Sequence, residues 1–220
     1  MRFATRPPDG PPLAEQAASR STAQLVAART AEAETLMAAG TAVMERHGTD
    51  RRATVSEIVR EAGLSNQAFY RHFASKDALV AAIVDAGARR LVGYLDHQMA
   101  GTPDPERKVR IWVKGVLSQA TDEKVARPTR AVSWNRGDLA SEADGVVRRS
   151  DSMIWQLLET PLAELGSNDP QRDAYLVGKL VFSVLIEALW ADPPPTAEEL
   201  EFVQDFCLAG VSADAFRASR

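Results

Sequence analysis

The sequence has 220 residues, of which 45% are hydrophobic and 25% charged, a balance typical of a soluble protein with one large domain or two modest ones. The formal net charge of −4, taken alone, argues against a nucleic-acid partner. However, residues 1–92 hold 12 Lys+Arg and 10 Asp+Glu, a balance of +2, whereas residues 93–220 hold 14 and 20, a balance of −6, so the two parts differ in charge.

The N-terminal segment 1–24 is predicted to be a disordered tail. Its sequence RPPDGPP is rich in proline and glycine and offers little apolar surface to bury. A flexible basic arm is the alternative, because three arginines outnumber two acidic residues in this segment. From about residue 28 the spacing of Leu36, Gly40 and Val43 predicts a helix, which Gly48 can end.

Residues 54–73 have the pattern of two short helices joined by a tight turn. Thr54 with Glu57 three residues later predicts a capping box at the start of the first helix. Gly63 can take the left-handed conformation that ends this helix, and Ser65 can cap the next one. Two short helices with a glycine-containing turn form a helix-turn-helix.

The second of these helices places polar side chains beside aromatic ones. Asn and Gln side chains can form two hydrogen bonds with an adenine edge in the major groove. Hydroxyl and basic side chains can bind phosphates, and Lys76 begins the next helix, where the free N–H groups favour an anion. Glycine-linked helix pairs also occur in proteins that bind no DNA, so the spacing alone leaves both interpretations open. The candidate DNA-binding residues are Thr54, Ser56, Ser65, Asn66, Gln67, Tyr70, Arg71, His72 and Lys76.

The stretch ATVSEIVREAGLSNQAFYRHFASKDALVAAIV resembles the N-terminal domain of the TetR family of transcriptional regulators, and the resemblance covers about residues 28–92. It implies a three-helix DNA-binding domain, a larger helical domain and a homodimer. It also implies a repressor that binds a palindromic operator in double-stranded DNA and that a small-molecule effector releases. Ala68 departs from the family pattern, in which threonine is common at this position. By motif position the resemblance implies DNA contacts by Ser56, Asn66, Gln67, Tyr70, His72 and Lys76.

The remainder of the chain shows helical periods and no convincing strand alternation. A long helix begins after Ser75, the segment GTPDP at 101–105 ends it, and further apolar helical periods follow. The predicted fold class is therefore all-α. The predicted domains are a helix-turn-helix DNA-binding domain over residues 25–92 and a larger helical effector-binding and dimerisation domain over residues 93–220.

The segment 170–190 is apolar nearly all round and must be covered on both sides. One side can be the core of its own subunit, and the other is a candidate surface for a twofold partner. An ordinary central helix without subunit contact is the alternative. The predicted dimer-interface residues are Val177, Val181, Val184, Leu185, Val203 and Phe206.

An effector pocket is predicted where tryptophans from three helices could meet. Small-molecule pockets are mostly apolar and contain a few polar groups, and methionines can adapt to the ligand. The same aromatic residues could equally be ordinary core residues. We expect a mostly apolar effector, and we expect its binding to move the helix at 75–98 and so the recognition helices. The candidate effector-binding residues are Tyr94, His97, Met99, Trp112, Trp134, Met153 and Trp155.

Other functional classes find little support in the sequence. The three histidines lack the spacing of metal ligands, and there is neither a glycine-rich phosphate loop nor a serine elbow, so no enzyme, metal or cofactor is predicted. Cys207 is the single cysteine, which fits a cytoplasmic location, and Lys179 and Glu187 make the most apolar stretch a poor membrane span. A helical interaction protein in which the helix-turn-helix is structural remains the alternative function.

Overall fold

The computed structural model describes residues 13–136 and 141–218, and every regular element within these ranges is an α-helix. This confirms the predicted all-α fold class. The N-terminal helices are α1 (Leu13–His47), α2 (Val55–Ala62), α3 (Asn66–His72) and α4 (Lys76–Ala100). The others are α5 (Pro105–Thr121), α6 (Glu123–Arg136), α7 (Ser141–Gln156), α8 (Glu159–Glu164), α9 (Pro170–Trp190) and α10 (Ala197–Ala218). None of the helices within the described ranges is long and apolar enough to cross a membrane.

The helix-turn-helix forms by the local signals predicted for it. The N–H of Glu57 donates to Thr54 Oγ1 at 3.4 Å, and the N–H of Thr54 donates to Glu57 Oε2 at 3.1 Å, which completes the capping box. Gly63 has φ of 64° and ends α2 in the left-handed conformation. Ser65 then accepts a hydrogen bond from the N–H of Ala68 and starts α3. The turn is therefore encoded by residues that lie within it.

Helix α1 begins earlier than the sequence predicted. It starts at Leu13, so residues 13–24 are helical rather than part of a tail, and the first twelve residues lie outside the described part of the chain. The segment 13–33 is rich in alanine and has neither glycine nor proline, so its intrinsic helix propensity is high. Residues 21–31 are all exposed, which indicates that propensity rather than burial makes this part helical.

Two apolar cores organise the protein, and α4 contributes to both. The first is built mainly by α1 to α4, with Leu36, Phe69 and Leu79 fully buried. The second lies among α4, α5 and α7 to α10, with Leu95 and Trp112 fully buried. The predicted domain boundary between residues 92 and 93 thus falls within a continuous helix. Because both apolar cores contain residues of α4, a displacement of this helix would alter the packing of both.

Helix α9 packs closely against α7 where Gly178 faces Trp155. A Cβ added at Gly178 would lie 2.7 Å from the Cβ of Trp155 and 2.9 Å from its Cε3. We expect Gly178→Ala to lower the free energy of unfolding by about 1–3 kcal/mol, because the Trp155 backbone or ring must move away from α9. Urea unfolding of the purified protein would measure this change.

Gly93→Ala on α4 is the matched control for this substitution. A Cβ at Gly93 would have no atom within 4 Å, so the variant should be neutral or more stable, since alanine favours a helix over glycine. If Gly178→Ala were as stable as Gly93→Ala, the close packing of α9 on α7 would be disproved.

Candidate functional site

Helix α3 presents a polar ridge to the solvent, which we call the α3 ridge and define as Ser65, Asn66, Gln67 and Tyr70. All four residues are exposed, and Tyr70 retains 59% of its accessible surface. The opposite side of the helix carries Phe69, which is fully buried and meets the Tyr70 ring edge to face at 5.3 Å. The side-chain amides of Asn66 and Gln67 make no hydrogen bond within the described part of the chain, so their donors and acceptors are available to a ligand.

The end of α3 is tied to α1 through Glu32. Arg71 Nη2 donates to Glu32 Oε2 at 3.1 Å, and His72 Nε2 lies 2.8 Å from the same oxygen. The bond to His72, followed by the charges of both partners, lowers the pKa of Glu32. The His72 side chain is only 11% exposed. His72 therefore orients α3 on α1, and this corrects its predicted position as an outward phosphate ligand.

The polar side chains at the starts of α2 and α4 differ in whether they are available to a ligand. The hydroxyl of Thr54 donates to Glu57 Oε2 at 2.8 Å, and hydrogen bonds from Arg51 and Thr54 lower the pKa of Glu57 to about 2. Ser56 is exposed in the first turn of α2. Lys76 is partly exposed at the start of α4 and forms no ion pair with any residue described by the structure. Ser56 and Lys76 are thus free to contact phosphate, whereas Thr54 primarily caps α2.

A large cavity of about 1110 Å³ lies among α4, α6, α7 and α9. Its apolar lining includes Leu91, Val132, Ile154, Phe182 and Leu185. Tyr94 also lines it and is the member of the predicted effector set that the structure places there. The volume lies slightly above the usual range of small-molecule sites, which is about 300–1,000 Å³.

The other predicted effector residues do not line this cavity. Trp112 is fully buried, and its Nε1 donates to the carbonyl of Ile154 at 2.8 Å. Met99 is buried in the same core, whereas His97 is exposed outside the cavity. Trp134 packs edge to face with Trp190 at 6.2 Å, and Trp155 packs against Tyr175 and Phe182 behind the cavity wall. Met153 is partly buried and does not line the cavity. Of the predicted effector-binding residues, only Tyr94 therefore lines this cavity.

Charged side chains that the sequence did not single out enter the cavity. Arg136 Nη2 lies 4.0 Å from Asp151 Oδ2, and both residues line the cavity. Lys179 also lines it, and its ammonium lies 5.5 Å from the ring centre of Trp155 and 5.6 Å from that of Tyr175. Burial raises the pKa of Asp151 despite the opposing charges of Arg136 and Lys179. A partly desolvated charged group thus sits within mostly apolar walls.

The outer sides of α9 and α10 carry large apolar side chains that this subunit leaves uncovered. The prediction placed the subunit contact on Val177 and Val181, but both are buried in the core of their own chain. Val184, Leu185 and Val203 are partly buried against that core, and Phe206 is 57% exposed. The exposed apolar residues of these two helices are Tyr175, Leu176, Ile186, Trp190, Phe202 and Phe206, of which Ile186 also lines the cavity.

Helix α6 connects the cavity with the helix-turn-helix. The Oδ1 of Asn135 accepts a hydrogen bond from the N–H of Ala53 at 2.9 Å, directly before α2, and Asn135 is only 1% exposed. Ala131 on the same helix belongs to the core of α1 to α4. Val132 and Arg136 on α6 line the cavity. One helix therefore touches both the candidate ligand site and the segment that leads into the DNA-binding helices.

Comparisons with known proteins agree with this architecture. The family model described as bacterial regulatory proteins, tetR family, matches residues 36–83. No curated protein sequence matches the chain closely enough to serve as a relative. Among solved structures, the fatty acid degradation regulator FadR from Bacillus halodurans is similar, with a TM-score of 0.64 and 20% identity over 80% of this chain and 98% of that one.

Two further solved structures share the same fold. A transcriptional regulator from Rhodococcus sp. Rha1 gives a TM-score of 0.62 and 25% identity, covering 81% of this chain and 95% of that one. The transcriptional regulator FadR from Bacillus subtilis, in complex with stearoyl-CoA, gives a TM-score of 0.59 and 15% identity, covering 82% and 98%. All three of these structures are of regulatory proteins.

Proposed function

We propose that this chain, which belongs to the TetR family of bacterial regulatory proteins, represses transcription by binding a palindromic DNA operator as a homodimer until a small-molecule effector releases it. The observation that carries the proposal is the α3 ridge. Its two amides are exposed, and the buried face of the same helix fixes their position. A recognition helix of a helix-turn-helix presents its N-terminal residues to the major groove in this way.

The proposed contacts follow from the position of each side chain. Asn66 and Gln67 read base edges, because their amides can form paired hydrogen bonds with adenine. Ser65, Tyr70 and the exposed Arg71 bind the DNA backbone next to these bases. Ser56 and Lys76 bind DNA phosphates at the starts of α2 and α4. Thr54 and His72 support this surface from within, through Glu57 and Glu32 respectively.

The dimer forms through the exposed residues of α9 and α10. Large exposed apolar side chains are typical of interaction sites, and aromatic residues are enriched in such interfaces. Four of the six exposed residues are aromatic, and the rings of Phe202 and Phe206 lie 6.3 Å apart. A dimer places two recognition helices in successive major grooves of a palindromic site.

The effector binds in the cavity that α6 and α4 border. FadR from Bacillus subtilis binds stearoyl-CoA, and this chain shares its fold, which supports a small organic molecule with a large apolar part as the effector. Occupation of the cavity shifts α4 and α6, which also contact the helix-turn-helix, and so changes the spacing of the two α3 ridges. Such coupling requires that the effector bind the DNA-free arrangement more tightly. The protein acts in the cytoplasm, where its operator is.

The hydrogen bond between Asn135 and Ala53 offers a direct test of how α6 is attached to the segment before α2, which we call the α6 joint. Asn135→Ala leaves a buried N–H without its acceptor, so we expect the free energy of unfolding to fall by about 1–3 kcal/mol. Asn135→Asp keeps an acceptor for the N–H of Ala53 but buries a carboxylate and loses the amide that donates to the Ala131 carbonyl, so it should lose at least as much at neutral pH. Urea unfolding of both variants measures the difference. Equal stability of the alanine variant and the unaltered protein would show that this bond does not secure the joint.

The regulatory function itself is tested by selecting bound fragments from the organism's own DNA with the purified protein. A palindromic site should be recovered, and its affinity should fall steeply with salt, because phosphate contacts release counterions. If the helix-turn-helix were only structural, no fragment would be enriched and no salt-dependent retention would be seen. The genes that flank a recovered site would then identify the regulated process.

A further inference from the structure

We propose that the cavity selects an amphipathic organic anion, in which an apolar body carries a carboxylate or similar oxyanion that Arg136 and Lys179 bind together. This inference deepens the proposed function and rests on the cavity being the effector site.

The lining contains more cationic than anionic side chains. Its cations are Arg90, Lys124, Arg136 and Lys179, and its acids are Glu45, Asp151 and Glu187. Arg136, Lys179 and Asp151 form one charged group, because the charges of Arg136 and Lys179 both act on the Asp151 carboxyl. Arg136 and Asp151 are partly buried, whereas Lys179, like Arg90, Lys124 and Glu187, is exposed. Two cations thus share one carboxylate within this charged group.

Arg136 and Lys179 both keep hydrogen-bond donors free for a ligand. The 4.0 Å between Arg136 and Asp151 is too long for a hydrogen bond, and Arg136 forms no closer ion pair with the residues that the structure describes. Lys179 has no ion pair in the same part of the chain and lies over two aromatic rings instead. Arg110, in contrast, has its guanidinium bonded to Glu106 and Asp205 at 2.7–3.2 Å outside the cavity.

Binding of an anion is favoured over binding of a cation by this arrangement. A cationic ligand would be repelled by the charges of Arg136 and Lys179. A carboxylate would gain two cationic partners, and a guanidinium can bind both of its oxygens. Within this group the single carboxylate of Asp151 can compensate only one of the two positive charges.

The surrounding walls determine the rest of the ligand. Ile154 and Phe182 belong to the same two helices as Asp151 and Lys179, and all four line the cavity. Leu91, Val132 and Leu185 extend the apolar lining on α4, α6 and α9. Charge interactions strengthen in such a medium of low dielectric constant. The body of the ligand is therefore apolar, and its charge is confined to one end.

Calorimetric titration of the full chain at pH 7 tests this with three ligands of equal chain length, decanoate, decan-1-ol and decyltrimethylammonium, each below its micelle concentration. The affinity for decanoate should be at least about ten-fold higher than the affinity for decan-1-ol or decyltrimethylammonium, as expected for charge-assisted hydrogen bonds. Arg136→Gln and Lys179→Gln should each weaken decanoate binding about ten-fold and leave decanol binding unchanged. Asp151→Asn should strengthen decanoate binding.

Absence of decanoate binding, equal binding of the alcohol or the cation, or unaltered decanoate binding by Arg136→Gln would each overturn the inference. Arg89→Gln is the matched control, because Arg89 is exposed on α4 outside the cavity lining and pairs with Asp85 at 2.8 Å. Arg136→Lys keeps the charge and should lose less affinity than the glutamine variant. Circular dichroism confirms that each variant is folded.

Operator binding by the same samples separates this inference from the proposed function. Operator binding without a preference for decanoate overturns the ligand class and leaves the regulator intact. A preference for decanoate without release of the operator supports the ligand class and contradicts the effector role of the cavity.

Discussion

Replacing Asn66 and Gln67 together by alanine is expected to weaken operator binding by about a hundred-fold or more and to leave the fold intact. Each paired contact of an amide with a base contributes about 1–3 kcal/mol of discrimination, and about 1.4 kcal/mol corresponds to a ten-fold change. Both side chains are exposed and make no hydrogen bond within the described residues, so their loss removes no internal contact. Fluorescence anisotropy with the recovered operator measures the affinity.

Gln98→Ala with Gln171→Ala is the matched control for this pair. These two amides are also exposed, at the end of α4 and the start of α9, away from the helix-turn-helix. The control variant should bind the operator as the unaltered protein does. Unchanged affinity of the Asn66 and Gln67 variant, with normal circular dichroism and thermal stability, would rule out the α3 ridge as the base-reading surface.

Replacing Phe202 and Phe206 together by glutamate is expected to separate the dimer into monomers and to abolish tight operator binding. The two rings are 67% and 57% exposed in the single subunit and lie 6.3 Å apart. In a dimer they would be covered, and burying two unpaired carboxylates is strongly unfavourable. Sedimentation equilibrium should show the dimer dissociation constant raised by at least about a hundred-fold, since each buried charge costs several kcal/mol.

Leu25→Glu with Val26→Glu controls for the introduction of charge at exposed apolar positions. Leu25 and Val26 are 63% and 58% exposed on α1, remote in sequence from α9 and α10. This control should remain dimeric. A dimer that persists in the Phe202 and Phe206 variant would show that the interface does not use these rings, and the remaining exposed residues of α9 would have to be tested.

Local signals made the helix-turn-helix predictable. The capping box at Thr54, the left-handed Gly63, the cap at Ser65 and the start of α4 after Ser75 were all predicted and are all present. Each of these features depends on a few neighbouring residues, and each satisfies backbone groups that a helix end leaves free. The exposed amides of α3 were predictable for the same reason, because one buried helical face leaves the other outside.

Longer-range features were predicted less well. The assignment of Val177 and Val181 to a subunit contact failed because α9 is apolar on nearly every side, so its pattern does not indicate which side its own core covers. Trp112 was selected for the cavity by residue type, but its indole nitrogen bonds to α7 within the core. The bond from His72 to Glu32 spans 40 positions, and nothing in the local pattern of either segment indicates it.

The sequence by itself determined the helical fold class, the helix-turn-helix and the polar surface of its second helix, because caps, turns and helical periodicity act over a few residues. Only the tertiary structure decided which faces of α6, α7 and α9 meet around a cavity, and which apolar side chains remain exposed on α9 and α10. Those outcomes depend on the competition among several apolar faces for the same core. The charges of Arg136, Asp151 and Lys179 come together only when that competition is resolved, because they lie on three different helices.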